Sequence, residues 1–98
     1  MKQEKSKRQL QIGEQMRRFI ANNINNIIDT RINGDILTIM KVEASKDLRY
    51  YKLFYRCKVE NKQLYNDMFE NIKEQLANIT YKNLCLRIRP NFSFVFDC

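Results

Sequence analysis

Ninety-eight residues, 44% hydrophobic and 30% charged, describe a single globular domain near the lower limit of a self-sufficient core, not a disordered chain. Eighteen Lys and Arg against eleven Asp and Glu leave a charge of +7, a balance that favours polyanions: nucleic acid or an anionic membrane surface. There is no histidine, and Cys57, Cys85 and Cys98 have no CxxC spacing, which argues against a zinc site or a disulfide framework and for a reducing compartment.

The basic start, MKQEKSKRQLQ, has no apolar segment behind it and does not read as a signal peptide. No stretch approaches the ~20 apolar residues that span a bilayer. A soluble, intracellular protein is expected. The abundance of Asn, Ile and Lys is also the mark of an AT-rich genome, so part of the positive charge carries no functional information.

The first element reads as an amphipathic helix. Ile12, Met16, Phe19, Ile20, Ile24, Ile27 and Ile28 form one stripe of period 3.6, opposite Lys7, Gln11, Glu14, Arg18, Asn22 and Asn25. Ser6 is its candidate N-cap. Asp29 to Gly34 breaks the pattern, with Asn33-Gly34 a turn signal. From Ile36 the period is two: Ile36, Thr38, Met40, Val42 and Ala44 are expected on one face, and Leu37, Ile39, Lys41 and Glu43 on the other. Ser45-Lys46-Asp47 is a short polar turn, shaped by the Asp47 side chain. A second strand follows to about Lys58, with Tyr51, Leu53, Tyr55, Cys57 and Val59 on one side and Tyr50, Lys52, Phe54, Arg56 and Lys58 on the other.

A second helical period opens near Asn61, an N-cap candidate, and keeps Leu64, Tyr65, Met68, Phe69, Ile72, Leu76 and Ile79 to one side until about Lys82-Asn83. Pro90 cannot donate to a ladder and marks the entry to a last strand, in which Phe92, Phe94 and Phe96 alternate with Asn91, Ser93, Val95 and Asp97. Neither helix can bury its stripe alone. Packing both on one face of a three-stranded sheet gives a two-layer α+β domain whose other sheet face stays open.

Three blocks carry a resemblance. The basic start leading into Gln15-Met16-Arg17-Arg18, the run Leu37 to Arg49 with its Val-x-x-Ser-x-Asp-Leu pattern, and the ending Leu86-Arg87-Ile88-Arg89-Pro90-Asn91-Phe92-Ser93-Phe94-Val95-Phe96-Asp97 resemble, in order and spacing, the ribosome-binding factor A family. The resemblance implies one type II KH-like domain over residues 1–98, of order αββααβ. It has a three-stranded mixed sheet, both helices on one face, and a basic segment at about 1–6 free to be flexible. It implies a ribosome biogenesis factor that binds the free small ribosomal subunit and its 16S-type rRNA, assists late maturation and 5′-end processing, and matters most in the cold. No catalytic residue, metal, cofactor, membrane or small-molecule substrate is implied. The expected protein is a monomer of the bacterial cytoplasm, with an organelle stroma or matrix the other setting.

The resemblance also has a gap. The family's Ala-x-Gly kink between its last two helices falls at Ile72-Lys73-Glu74, where no glycine stands, so a shallow kink or a nearly continuous helix is expected. The chain ends one residue past Asp97, and no C-terminal extension is expected.

The RNA-binding candidates are Lys5, Lys7, Arg8, Arg17, Arg18, Lys52, Arg56, Lys58, Arg87 and Arg89, with Lys2 in the same N-terminal cluster. Long cations on an accessible face neutralise phosphates, and cations between Tyr50 and Phe54 add a stacking surface for unpaired bases. Each set also has a plain reading: a solvated helix face, or a sheet edge guarded by lysines. Glu43 and Asp47 are the one carboxylate pair to consider for acid–base or metal chemistry, and nothing converges on them. Two alternatives stay beside the leading reading. One is a generic KH-like module for single-stranded RNA, and the other a peripheral membrane or protein-interaction domain acting through the first helix.

Overall fold

The computed structural model describes residues 5–97; Lys2, Cys98 and residues 1–4 of the basic N-terminal segment lie outside the described residues. Helix α1 (Lys7–Asn23) begins at Ser6, as the sequence predicts. Ser6 Oγ accepts from the Gln9 N–H at 3.1 Å and the Gln9 side chain accepts from the Ser6 N–H at 2.9 Å, a reciprocal cap that satisfies two orphan donors. Gln9 Nε2 also donates to the Ala44 carbonyl at 3.0 Å, which ties the first turn to the sheet. The α-helix stops at Asn23, where the Asn23 side chain bonds the Phe19 carbonyl and a 3-10 turn, Ile24–Asn26, takes over. The stripe continues through that turn: Met16, Ile20, Ile24 and Ile28 are all buried.

Strands β1 (Thr38–Ala44) and β2 (Tyr50–Arg56) form an antiparallel hairpin. The predicted phase of β1 holds for Val42 and Ala44 and is wrong before them: Leu37 and Ile39 are in the core, whereas Ile36 is 62% exposed. The cause is a bulge. Ile39 pairs with Tyr55 and Lys41 with Phe54, so Met40 is an extra residue that inverts the alternation. On β2 the prediction is right for Tyr51, Leu53 and Tyr55, but the strand ends at Arg56. Val59, expected on the inner side, lies exposed in a 3-10 turn, Val59–Asn61.

Asn61 stands at the N-cap position of α2 (Lys62–Asn83) without capping it. It is buried, and its Nδ2 donates to Asp35 Oδ2 at 3.0 Å, while Asp35 also accepts from the Lys58 N–H at 2.7 Å and the Ile36 N–H at 2.8 Å. That network closes the end of the domain where β1 starts and α2 begins. Tyr65, Phe69 and Leu76 of α2 are buried, and Leu64, next to Tyr65 and about 100° round the helix, is half exposed. The helix runs uninterrupted through Ile72, Lys73 and Glu74. The two helices that the order αββααβ separates are therefore one element here, as the missing glycine foretells.

Strand β3 (Asn91–Phe96) follows a buried Pro90 and runs parallel to β2, giving the mixed sheet β1-β2-β3. Both helices lie on one sheet face. Its centre is aromatic: the Phe69 ring sits 5.0 Å from Tyr55 and 4.7 Å from Phe94, stacked on the latter with the ring planes nearly parallel at 9°. Gly13 lets α1 approach β1 closely, since a Cβ there would lie 2.5 Å from the Val42 carbonyl oxygen.

Candidate functional site

The uncovered face of the sheet is built by alternation. Because Tyr51, Leu53 and Tyr55 point into the core, Tyr50, Lys52, Phe54 and Arg56 must point out. The neighbouring strands add Lys41 and Glu43 from β1, and Ser93 and Val95 from β3, opposite Lys52 and Phe54. Lys41 Nζ lies 4.7 Å from the Phe54 ring centroid and 3.2 Å from Glu43, which also holds Lys5 at 3.4 Å. Burial pushes the Glu43 carboxyl up, yet the hydrogen bonds and charges of Lys41 and Lys5 outweigh it and hold the group below its ordinary range. Arg56 reaches Asp97 at 3.7 Å. Lys52 has no carboxylate within 4 Å among the described residues, so the cation nearest the centre of the face is unneutralised.

The remaining predicted cations do not join this face as one patch. On α1, Arg17 grips Glu14 with two bonds of 2.6 and 2.9 Å, and Arg18 approaches the same carboxylate at 3.5 Å. The Arg17 hydrogen bond holds the Glu14 carboxyl below its ordinary range. Arg89 bonds the Glu74 side chain at 2.7 Å and its carbonyl at 3.3 Å. A carboxylate thus stands where the resemblance leads one to expect glycine, and Arg89, from the Leu86–Asp97 block, lies on it. Lys58 sits at the Asp35 end, and Lys7 in the first turn of α1.

Arg8 and Arg87 meet elsewhere, at a groove of about 550 Å³ between the start of α1, the hairpin turn and residues 84–88. Two left-handed residues shape its walls. Leu48 (φ 60°) turns the hairpin, where Ser45 Oγ accepts from the Arg49 and Tyr50 N–H groups and donates to Asp47 at 2.7 Å. Cys85 (φ 52°) ends α2 in the position that glycine usually takes, with the Leu84 N–H on the Thr80 carbonyl and the Leu86 N–H on the Tyr81 carbonyl. Beneath them, the Tyr51 hydroxyl donates to the Leu48 carbonyl at 2.8 Å. Burial raises the Tyr51 phenol, Asp47 raises it further and Arg8 lowers it, so both charges act on this one buried group.

Sequence reasoning found the aromatic and basic alternation of β2 and the cations of the groove. It missed the pairing of Lys41 with Phe54, the Asp35–Asn61 network and the groove itself, all of which join residues far apart in the chain. Of the cysteines, Cys57 packs half-buried against the core and Cys85 is exposed on the groove. Among the described residues no three His, Cys, Asp or Glu side chains cluster to hold a metal, and no helix is long and apolar enough to cross a membrane.

Residues 8–98 match the sequence profile of the family described as ribosome-binding factor A. A ribosome-binding factor A of Francisella tularensis subsp. novicida is 37% identical over 75 residues, covering 72% of this chain and 52% of that protein. The chain therefore spans about half the length of the curated relatives at this level. The fold is similar to a crystal structure of ribosome-binding factor A from Thermus thermophilus, with TM-score 0.76, 20% identity and coverage of 89% of this chain and 93% of that one. It is also similar to a Thermus thermophilus homology model fitted into a cryo-EM map of a 30S–RbfA complex, with TM-score 0.71, 19% identity and coverage of 88% and 91%.

Proposed function

The chain belongs to the ribosome-binding factor A family, and from that premise we propose that it is a ribosome-assembly factor. In this reading it binds the free small ribosomal subunit and its 16S-type rRNA, assists late maturation and 5′-end processing, and is needed most in the cold. The observation that carries the reading is the family match over residues 8–98, supported by the relative whose coordinates were fitted into a 30S complex. It acts without catalysis or a cofactor, as a monomeric single domain of the cytoplasm.

Charge and shape do the binding. Lys7, Arg8, Lys52, Lys58 and Arg87 are the primary phosphate contacts, because no carboxylate lies within 4 Å of them among the described residues. Lys5, Arg17, Arg18, Arg56 and Arg89 must exchange an internal carboxylate for a phosphate, which makes each worth less to affinity. No RNA contact is assigned at the Ile72-Lys73-Glu74 position, where Arg89 already bonds Glu74.

Sucrose-gradient sedimentation of the tagged protein, with mapping of the small-subunit rRNA 5′ end after depletion in the cold, tests this reading. Selective co-sedimentation with free small subunits and accumulation of unprocessed 5′ ends are expected. An even spread over small subunits, translating ribosomes and soluble fractions would overturn it.

A further inference from the structure

The groove at Arg8 and Arg87 is unlike the rest of the basic surface. There, two guanidinium groups without a close carboxylate flank an apolar floor of Ile12, Leu48 and Leu86, with the Asp47 carboxylate on the same wall. Its volume of about 550 Å³ lies within the ~300–1,000 Å³ of small-ligand sites. Three features restrict the occupant. A bare phosphate would gain the arginines but leave the apolar floor unused and face Asp47. An apolar peptide would cover the floor and leave two guanidinium charges without an anion. A nucleotide whose base is turned out of its stack serves the floor and the arginines together, and shares Asp47 with Ser45 and Arg49, which already hold it. The base covers the floor, its amine edge donates to Asp47, and the phosphates on either side take the arginines.

We propose that this groove holds one unstacked nucleotide of single-stranded RNA, with its base on Ile12, Leu48 and Leu86 and its flanking phosphates on Arg8 and Arg87. This rests on the rRNA-binding reading and deepens it. The open sheet face spreads its cations and aromatics over three strands, whereas the groove demands a nucleotide free of pairing. An unpaired bulge, loop or end of the rRNA is therefore the part of the partner that this end of the protein selects.

Cys85 supplies the reporter, being exposed on the groove while Cys57 is half-buried. A Cys57→Ser, Cys98→Ser variant leaves Cys85 as the single thiol, and its rate of alkylation is followed with a mixed-sequence single-stranded RNA octamer and with the corresponding duplex. Binding itself is measured separately by fluorescence anisotropy. Octamer at ten times its Kd leaves about a tenth of the grooves open, so alkylation is expected to slow about tenfold, and the duplex at equal occupancy is expected to leave it unchanged. Adding Arg8→Ala and Arg87→Ala is expected to abolish the protection, keep the melting temperature, and lower the slope of log affinity against log salt by about 1.4.

Octamer binding with an unchanged Cys85 rate would overturn the groove proposal and leave the rRNA reading standing. Absence of any octamer or rRNA binding would overturn both. Protection by inorganic phosphate alone would reduce the groove to an anion site. Protection that grows with protein concentration in the absence of RNA would assign it to a second copy of the chain; either result overturns the proposal.

Discussion

The two faces of β2 use the same residue types for opposite ends. Tyr51 and Tyr55 on the covered face are at most 2% exposed, and their rings lie against Phe92 and Phe69. Tyr50 on the open face is 60% exposed, and Phe54, half-buried, has a lysine ammonium over its ring. An aromatic surrounded by apolar neighbours contributes to stability through area removed from water. One flanked by Lys41, Lys52 and Arg56 contributes little to folding and stays available to a ligand. Composition alone does not distinguish them. The pleat does, by sending alternate residues to different surroundings.

The largest effect that separates the faces is expected at Phe69→Ala. Removing a fully buried ring that stacks on Phe94 and meets Tyr55 at a tilt should cost about 3–5 kcal/mol in urea denaturation. RNA affinity per folded molecule should not change. Gly13→Ala comes next. Its new methyl would meet the Val42 carbonyl at 2.5 Å and force α1 off β1, with a loss of about 1–3 kcal/mol although alanine is the better helix former. An unchanged melting curve for Gly13→Ala would mean that α1 slides on the sheet without penalty.

A smaller, pH-dependent effect is expected from Asp35. The Asn61 amide bond holds its carboxyl below the ordinary range against the opposing effect of burial, with the Lys58 and Ile36 N–H groups assisting. Its pKa is thus lower folded than unfolded, so the stability it adds is present above about pH 3.9 and is lost as pH falls through the folded value. Urea titrations from pH 7 downward should show the gap between the parent and Asp35→Asn narrowing in that acidic window. A gap that is constant with pH would remove the carboxylate's charge from the account.

The smallest stability effect belongs to the open face. Lys52→Ala with Arg56→Ala should leave stability within about 0.5 kcal/mol of the parent. The same pair should lower the salt slope of RNA binding by up to about 1.4, and by less to the extent that Asp97 already occupies Arg56. If this pair instead unfolds the protein, the contrast between the faces is wrong.

Much of this was legible in the residues. The helical stripes repeat over several turns, so α1 and α2 stand out from the chain on their own. The phase of β1 does not, because an extra residue at Met40 is visible only against β2. Nor does the role of Asn61, whose partner Asp35 lies 26 residues away. The candidate cations could be named one by one. Which of them were already neutralised could not, since Arg56 finds Asp97 across 41 residues and Arg89 finds Glu74 across 15.

The bulge at Met40 has one more consequence. β1 is an edge of the sheet. The part of its outer rim that α1 leaves uncovered, away from the Ala44 carbonyl bonded by Gln9 and the Val42 carbonyl beside Gly13, is a template on which another chain could add a strand. An extra residue bends that rim and breaks its regular spacing, and Lys41 sets a charge beside the break. The irregularity that misleads a period-two reading thereby also guards this small basic domain against edge-to-edge self-assembly.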